Sequence, residues 1–246
     1  MPSGSVDEAE IARFTGMAGG WWDPNGPFRP LHRLNPVRLQ FLRDTLVAAL
    51  DRDGGTMRPF EGLSLVDIGC GGGLIAEPMA RLGFAVTGID AAEKSLSVAR
   101  AHAEAEAVAV DYRLESVEAL AQSGAQFDVV LALEVVEHVA DLQGFLDAAG
   151  ALVRPGGTAI LSTLNRTVRS YVFGIIGAEY VLRWLPRGTH SWGKFLKPSE
   201  LAGAVRHAGL VVDRLDGISF DPLADRWRVG RDLAINYMMV ARKPAG

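Results

Sequence analysis

A cluster of glycines directly after an apolar segment constrains this chain more than any other feature. Residues 63–68 predict a strand that ends near Asp67, and Gly69-Cys70-Gly71-Gly72-Gly73 separates it from a helix predicted over residues 74–82. Glycine adopts positive φ angles and carries no Cβ, so the backbone of such a turn can approach a ligand closely. The pattern therefore predicts a strand, loop and helix that cradle a ligand.

Most of the remaining chain alternates apolar strands with helices, which predicts right-handed crossovers and a parallel, doubly wound α/β sheet. Ligands of such sheets bind beyond the carboxyl ends of the strands. Further strands are predicted at residues 85–90, 108–113, 127–133, 157–163, 210–215 and 237–242. Further helices are predicted at residues 6–17, 35–50, 93–106 and 142–152 and from Pro198 onward, with Asn35 capping the second and Pro36 in its first turn.

The length of 246 residues and the lack of a linker-like segment predict a single domain. We divide residues 1–246 into an N-terminal helical lid (1–58), a ligand-binding core (59–165), an apolar and basic insertion (166–197) and a C-terminal part with a helix and strands (198–246). The insertion follows the fifth predicted strand.

The formal net charge of −4 disfavours nucleic acid as a partner, because binding to a phosphate backbone needs an excess of positive charge. The single cysteine, Cys70, allows no internal disulfide and favours a reducing, cytoplasmic location. No run of 18 apolar residues is present, so we expect any membrane contact to be peripheral.

Asp90 ends the second predicted strand, 21 positions after Gly69. Its carboxylate can accept hydrogen bonds from both ribose hydroxyls of an adenosyl group, although an aspartate here can also cap the next helix. Enzymes that use NAD and enzymes that use S-adenosylmethionine share this ribose contact, and the glycine spacing fits both. These residues predict an adenosyl ligand and leave the reaction open.

Two later segments favour methyl transfer. Phe127-Asp128-Val129-Val130-Leu131-Ala132-Leu133-Glu134 and Leu152-Val153-Arg154-Pro155-Gly156-Gly157 resemble the fourth- and fifth-strand motifs of class I methyltransferases. The resemblance implies a Rossmann-like, seven-stranded sheet with an antiparallel final hairpin and S-adenosylmethionine as cofactor. It also implies that Leu133 lies along the adenine and methionine part of that cofactor.

A narrower resemblance covers nearly the whole chain. The segments that carry it are Trp21-Trp22-Asp23, Pro30-Leu31-His32-Arg33-Leu34-Asn35-Pro36-Val37-Arg38-Leu39, Glu134-Val135-Val136-Glu137-His138-Val139, Ser162-Thr163-Leu164-Asn165-Arg166, Gly177-Ala178-Glu179-Tyr180 and Gly188-Thr189-His190. Together they resemble the ubiquinone biosynthesis O-methyltransferases. That family methylates catechol-type hydroxyls of polyprenylated intermediates at two stages of the pathway, which makes such a phenol or catechol the expected substrate and other enzymes of the pathway candidate partners.

By this resemblance, Arg38, Gly69, Asp90 and Leu133 are the expected cofactor-binding residues. Arg38 matches an N-terminal arginine of the family, and its guanidinium suits the methionine carboxylate. An exposed charge on the second helix is the alternative interpretation of Arg38.

Methylation of a phenol requires a general base or a metal ion that stabilises the phenolate. Glu134, Glu137 and His138 directly follow the fourth strand, at the sheet edge where the acceptor should lie. The resemblance supports all three as Mg²⁺ ligands, whereas the simpler alternative is a solvated helix start with acidic residues. We expect Glu134 and His138 to be catalytic, with His138 as the general base if no metal binds.

Residues 166–197 are too apolar for a plain connecting loop, and they contain six basic residues against one acidic residue, a local charge of +5. This composition suits an interfacial helix on anionic lipid, at the inner face of the cytoplasmic membrane, and suits equally a helix that covers the acceptor pocket. Two other functions stay open: methyl transfer to a soluble phenol or amine, and cofactor binding without catalysis. A dehydrogenase is disfavoured.

Overall fold

A computed structural model describes Ser5, residues 7–171, residues 192–221, Ala224 and residues 226–246. Within these residues one mixed sheet forms the centre of the molecule, with helices on both faces. The strands are β1 (Ser64–Ile68), β2 (Ala85–Asp90), β3 (Val110–Leu114), β4 (Phe127–Leu133), β5 (Val153–Leu164), β6 (Val211–Asp221), β7 (Arg226–Gly230) and β8 (Asn236–Arg242). The helices are α1 (Glu8–Met17), α2 (Arg29–Ala49), α3 (Ala76–Arg81), α4 (Glu93–Ala105), α5 (Val117–Gln122), α6 (Leu142–Leu152), α7 (Val168–Ser170) and α8 (Pro198–His207).

The strands of the described sheet are ordered β3-β2-β1-β4-β5-β8-β6-β7. Strands β1 to β5 pair in parallel, and the chain reverses its direction across the sheet between β1 and β4. Strand β8 lies antiparallel between β5 and β6. This arrangement confirms the predicted Rossmann-like methyltransferase fold class, and it places the topological switch point, where ligands of such sheets bind, at the carboxyl ends of β1 and β4.

The predicted strand count of seven was wrong, because the described residues form eight strands. The additional strand, β7, pairs with β6 as an antiparallel hairpin at the edge of the sheet, with Gly217 opposite Gly230. Its five residues include two arginines and a terminal glycine. Its first four residues alternate polar and apolar side chains, so the sequence held a short strand signal that the prediction missed.

The core has two halves because successive strand residues point to opposite faces of the sheet. On one face Leu65, Val129 and Leu131 pack with the helices α2, α3 and α4. On the other face Val66 and Val130 pack with α5, α6 and α8. Helices on both faces therefore enclose the parallel strands, as predicted for a doubly wound sheet.

The second helix begins six residues earlier than predicted. Helix α2 starts at Arg29, with Pro30 in its first turn, so Asn35 and Pro36 lie inside the helix instead of at its start. Both prolines fit the pattern of a helix start, but only Pro30 is used in this way. Pro36 removes one backbone hydrogen bond in the interior, at a typical cost of about 3 kcal/mol, which packing of the buried residues Leu42 and Leu46 must offset.

No helix within the described residues is long and apolar enough to cross a membrane. The insertion expected at residues 166–197 is described only at its two ends, at α7 and at a 3₁₀ turn over Trp192–Lys194. Residues 172–191, including His190, lie outside the described residues.

Candidate active site

A cavity of about 740 Å³ opens at the carboxyl edge of the sheet. The ends of β1, β2 and β4 form its floor, and the N-terminal cover, which we define as residues 8–49, closes it from above. All seven residues that the sequence singled out line this cavity: Arg38, Gly69, Asp90, Leu133, Glu134, Glu137 and His138. The structure therefore brings the expected cofactor residues and the expected chemical residues onto one surface.

The glycine loop is fixed by backbone hydrogen bonds. Gly69 and Gly71 have φ angles of 70° and 53°, in the left-handed region that favours glycine. The amides of Gly69 and Cys70 both donate to the carbonyl of Ile89, at 2.8 and 3.0 Å, which ties the loop to the end of β2. The conformation expected for a cradle is thus built into the backbone.

A tryptophan from the N-terminal cover fills the space above this loop. A Cβ at Gly71 or Gly72 would overlap the side chain of Trp21. Trp21 stacks on Phe28 with ring centroids 3.7 Å apart, and its Nε1 donates to Ser95 Oγ at 3.0 Å. Two of the glycines, which the sequence suggested were needed for a ligand, are therefore needed here for an aromatic side chain of the same protein.

Asp90 lies at the end of β2 with its carboxylate turned to the loop. Its Oδ2 accepts from the amide of Gly71 at 2.9 Å, and its Oδ1 accepts from the amide of Ala92 at 2.7 Å. Burial raises the pKa of Asp90, and these two hydrogen bonds oppose the rise. Ala92, not Asp90, occupies the cap position of α4. A carboxylate offers about four acceptor sites, so two remain for a ligand.

Asp67, at the end of β1, is a second buried acid on the cavity wall. Burial raises its pKa to about 7, and the neighbouring Asp90 adds to the rise, whereas Arg38 opposes it. In the sequence, Asp67 stood out only as the end of a predicted strand.

Arg38 connects the N-terminal cover to the end of β4. Its buried guanidinium donates from Nη2 to Glu134 Oε1 at 2.9 Å and from Nη1 to Asn35 Oδ1 at 3.4 Å. This burial excludes the alternative of an exposed charge. Arg38 Nε is buried and has no hydrogen-bond acceptor among the described residues. An orphaned donor on a cavity wall fits an anionic group of a ligand.

Glu134 is the focus of a polar network. Besides Arg38, Ser162 Oγ and Asn236 Nδ2 each donate to its Oε1 at 2.8 Å. Its φ angle of 58° is in the left-handed region, where a residue other than glycine pays roughly 1–3 kcal/mol. Such strain persists where the surroundings fix the residue, and three donors on one oxygen do so here.

Glu137 and His138 lie one turn beyond Glu134. Glu137 is buried, and Thr163 Oγ1 donates to its Oε2 at 2.8 Å. Burial raises the pKa of Glu137 to about 8, with a further contribution from the nearby Glu134, so this carboxyl is mostly protonated at neutral pH. His138 instead turns Nδ1 toward Glu10 of α1, at 3.4 Å from Oε2.

The expected magnesium set is therefore not assembled in this conformation. No three His, Cys, Asp or Glu side chains in the described part of the chain are placed to share one ion. The physical reason is that the three candidates already have other partners: Arg38 neutralises Glu134, burial favours the neutral form of Glu137, and Glu10 faces His138. The residues as they stand do not fit a metal centre, and we assign no step to one.

Sequence reasoning missed several cavity residues: Glu10, Phe14, Trp21, Phe28, Ser95 and Asn236. Trp21 and Asn236 contact partners 74 and 102 positions away in the sequence. No local pattern reports such a contact. The adjacent tryptophans, Trp21 and Trp22, were the available signal, because large aromatic residues outside predicted strands and helices call for a packing partner.

The sequence matches a family described as "Methyltransferase domain" over residues 35–215. The ubiquinone biosynthesis O-methyltransferase of Chelativorans sp. (strain BNC1) is 51% identical over 240 residues, which cover 98% of this chain and 95% of that protein. The protein of the same name from Paramagnetospirillum magneticum (strain ATCC 700264 / AMB-1) is 54% identical over 240 residues, covering 98% and 96%.

Solved structures share the fold at low identity. The magnesium protoporphyrin IX methyltransferase of Synechocystis PCC 6803, with bound SAH, superposes with a TM-score of 0.61 at 21% identity, covering 96% of this chain and 100% of the other. An O-methyltransferase family protein from Burkholderia thailandensis gives a TM-score of 0.61 at 18% identity, covering 100% and 65%. These likenesses support the architecture. Because the identity with the named relatives exceeds 50% over nearly all of both chains, the chain belongs to the ubiquinone biosynthesis O-methyltransferase family of S-adenosylmethionine-dependent methyltransferases.

Proposed function

We propose that this protein methylates catechol-type hydroxyls of polyprenylated intermediates in ubiquinone biosynthesis, with S-adenosylmethionine as the methyl donor. The named relatives support the reaction. The observation that supports it most directly in this chain is the cavity of about 740 Å³ that runs from the glycine loop to His138. Methyl transfer is an in-line displacement, so the donor and the acceptor must bind side by side in one enclosed space.

Four residues are proposed to bind the cofactor. We assign the ribose hydroxyls to Asp90, whose carboxylate keeps acceptor capacity beyond its two backbone hydrogen bonds. We assign the methionine carboxylate to Arg38, whose buried Nε has no acceptor among the described residues. Gly69 and Leu133, at the ends of β1 and β4, supply backbone and apolar contact along the cofactor.

His138 is proposed as the general base. S-adenosylmethionine, when bound, supplies an electrophilic methyl group on a sulfonium. A phenol has a pKa of about 10, so the hydroxyl must lose its proton to a group that titrates closer to neutral pH. His138 would accept that proton on a ring nitrogen, which would leave the phenol oxygen able to attack the methyl group that bound S-adenosylmethionine would supply. The imidazolium then returns the proton to solvent.

Glu134 is proposed as the second catalytic group. Its carboxylate lies on the same wall of the cavity as His138 and fixes Arg38 through a hydrogen bond of 2.9 Å. It thus links the proposed cofactor contact to the proposed acceptor site.

Residues 166–197 are proposed to place the enzyme on an anionic membrane surface, at the inner face of the cytoplasmic membrane. The described ends of this segment carry apolar side chains in solvent: Val168 is 75% exposed, Tyr171 45% and Trp192 41%. Clustered exposed apolar residues next to basic ones suit an anionic lipid interface, where a polyprenyl tail is also held.

Co-sedimentation with anionic vesicles at low salt tests this placement. We expect wild-type protein to bind, and Val168→Ser/Trp192→Ser to bind less. Met57→Ser is the matched control, because Met57 is 91% exposed but precedes β1 and therefore lies away from the carboxyl edge. Wild-type protein that stays in the supernatant would reject the membrane proposal.

The proposed reaction is tested by incubating the enzyme with S-adenosylmethionine and a short-chain polyprenyl catechol, and detecting the methyl ether by mass spectrometry. A soluble catechol without the polyprenyl tail is assayed in parallel. We expect turnover of the polyprenyl substrate. Turnover of soluble acceptors alone would favour the alternative of a soluble small-molecule methyltransferase, and cofactor binding without any turnover would favour a binding module.

The same assay with added Mg²⁺, and with a chelator, tests the metal expectation. Because the described residues assemble no metal site, we expect the chelator to leave turnover unchanged. Loss of turnover on chelation, restored by Mg²⁺, would mean that the residues around Glu134 rearrange when substrate binds.

A further inference from the structure

A row of three side chains crosses β5, β8 and β6 on the wall of the cavity. Asn236 begins β8 and pairs with Leu164 of β5 on one side and with Ile218 of β6 on the other. Paired residues of neighbouring strands project to the same face of a sheet, and all three residues line the cavity. The strand order places this row beyond β4, on the opposite side from Asp90 at the end of β2. The row therefore lies away from the proposed ribose contact.

Asn236 is the polar member of this row. Its Nδ2 donates to Glu134 Oε1 at 2.8 Å, which fixes the orientation of the amide because a carboxylate only accepts hydrogen bonds. Its Oδ1 is buried and has no hydrogen-bond donor among the described residues, and the residue as a whole is 4% exposed. A buried acceptor without a donor is rare and costs free energy. A substrate hydroxyl that reaches this oxygen would remove that cost.

The surroundings of Asn236 indicate the chemical class of that substrate. Ile218 lies next to it, and Phe220 and Trp227 continue the wall on β6 and β7, opposite one another and with ring centroids 5.3 Å apart. Apolar and aromatic side chains thus flank the amide. A molecule that matches this part of the cavity has an aromatic or hydrocarbon body and at least one hydroxyl donor. A polyprenylated catechol has both, with two hydroxyls on adjacent ring carbons.

We propose that Asn236 binds the substrate and determines its specificity: Oδ1 accepts a hydrogen bond from the catechol hydroxyl that is not methylated. Because the two hydroxyls are on adjacent carbons of a rigid ring, fixing one restricts where the other can lie. Asn236 thereby orients the reacting hydroxyl for in-line attack on the methyl donor. This inference rests on the proposed function, because it takes a catechol as the substrate. The hydrogen bond requires neither a particular general base nor a metal ion.

A purely structural role is the competing explanation, since Asn236 also holds Glu134 in place. Ser162 separates the two roles. Its Oγ donates to the same oxygen of Glu134, also at 2.8 Å, but Ser162 is completely buried. Ser162→Ala therefore removes an equivalent hydrogen bond to Glu134 and leaves the amide on the cavity wall. An effect that depends on the second hydroxyl of the substrate is expected for Asn236 alone.

The experiment measures binding without turnover, in the presence of S-adenosylhomocysteine, which lacks the transferable methyl group. Titration calorimetry gives the Kd of a short-chain polyprenyl catechol and of the matched phenol that keeps only the methylated hydroxyl, which NMR of the methyl ether identifies. We expect the wild type to bind the catechol more tightly, by roughly tenfold to a hundredfold, because the phenol leaves Oδ1 without a donor. Asn236→Leu, of similar volume, should reduce this preference to less than about threefold, whereas Ser162→Ala should keep it.

Circular dichroism checks that both variants fold, and Asn236→Ala, which adds no bulk, replaces Asn236→Leu if the latter does not fold. Equal affinities of the wild type for the two ligands would overturn the inference, as would a preference that survives in the Asn236 variants. A preference lost to the same extent in Ser162→Ala would also overturn it, because the effect would then pass through Glu134. Each of these results leaves the proposed function intact, because detection of the methyl ether tests it separately. Wild-type protein that does not methylate the catechol would reject the proposed function and this inference with it.

Discussion

The floor of the cavity is held by backbone hydrogen bonds, whereas the N-terminal cover is held by side chains. On the floor, the amides of Gly69 and Cys70 donate to Ile89, and the parallel pairing of β1 with β2 and β4 fixes the rest. In the cover, Trp21 and Arg38 each make a long-range side-chain hydrogen bond, to partners 74 and 96 positions away. Side-chain substitutions should therefore leave the floor in place but release the cover one contact at a time.

The floor and the cover also supply different chemical groups to the cavity. The floor supplies the positions at which a cofactor would lie, and the cover supplies charges and rings that act on the residues following β4. Arg38 reaches Glu134, and Glu10 reaches His138. Both contacts cross from a helix of the cover to the segment after one strand, so the proposed catalytic groups depend on the cover being closed.

The largest effect is expected from His138→Gln, which keeps a polar side chain but removes the proposed base. We expect kcat on a polyprenyl catechol to fall by roughly 10²–10⁴-fold, with the affinity for S-adenosylmethionine unchanged. His207→Gln, on the exposed last turn of α8, is the control and should retain full activity. A fall of less than about threefold for His138→Gln would mean that the base lies elsewhere.

The ion pair between the cover and the floor is tested by Glu134→Gln, which leaves the buried guanidinium of Arg38 without its anion. Breaking a buried pair costs up to about 3–5 kcal/mol, and the 20% exposure of the Glu134 side chain should lower this figure. We expect a lower free energy of unfolding in urea and a lower kcat, while cofactor still binds.

The double variant Arg38→Met/Glu134→Gln should recover most of the lost stability, because it removes the unpaired charge. It should not recover activity. If the losses of unfolding free energy from the two single substitutions instead add up in the double variant, Arg38 and Glu134 do not stabilise each other, and the cover is held in another way.

The floor could be predicted from sequence, and the cover could not. Strands β2 and β4 have the bounds that apolar patterning predicted, because a buried parallel strand is a short apolar run with clear turn signals at its ends. The glycine loop and Asp90 followed from the same local reasoning. The start of α2 was predicted six residues too late. Pro30 and Pro36 both satisfy the rule that proline favours the first turn of a helix, and the local sequence does not choose between them.

The cover contacts depend on tertiary structure. Nothing near Trp21 in the sequence indicates Ser95 as its partner, and nothing near Glu10 indicates His138. The three expected metal ligands were grouped because they are close in sequence, but the fold gives each a different partner. Proximity along the chain predicted a shared cavity and did not predict shared coordination.

The contact between Trp21 and the glycine loop is tested by Gly72→Ala. The φ angle of Gly72 is not in the left-handed region, and the three atoms nearest to an added Cβ all belong to Trp21. We expect this overpacking to cost about 1–3 kcal/mol of unfolding free energy. In a Trp21→Gly background, which removes all three of these atoms, the same substitution should cost almost nothing. An equal cost in both backgrounds would show that the floor itself, and not the cover, requires this glycine.

A pH-dependent effect concerns Asp67, a side chain within the floor. Its pKa in the folded state is about 7, against 3.8 for an ordinary aspartate, so between these pH values the folded chain binds more protons than the unfolded chain. The free energy of unfolding must then decrease as pH rises from about 4 to about 7, by at most about 1.4 kcal/mol per pH unit from this group.

Asp67→Asn should remove that contribution, so the difference in stability between variant and wild type should shift in favour of the variant as pH rises from 4.5 to 6.5. Urea denaturation at several pH values measures it, with Asp147→Asn on the exposed face of α6 as the control. Parallel curves for wild type and Asp67→Asn would mean that Asp67 is ionised in the folded state. In that case Asp67 would form an ion pair with Arg38, and a side-chain contact would stabilise the floor as well as the cover. The two regions would then differ less in how they are held.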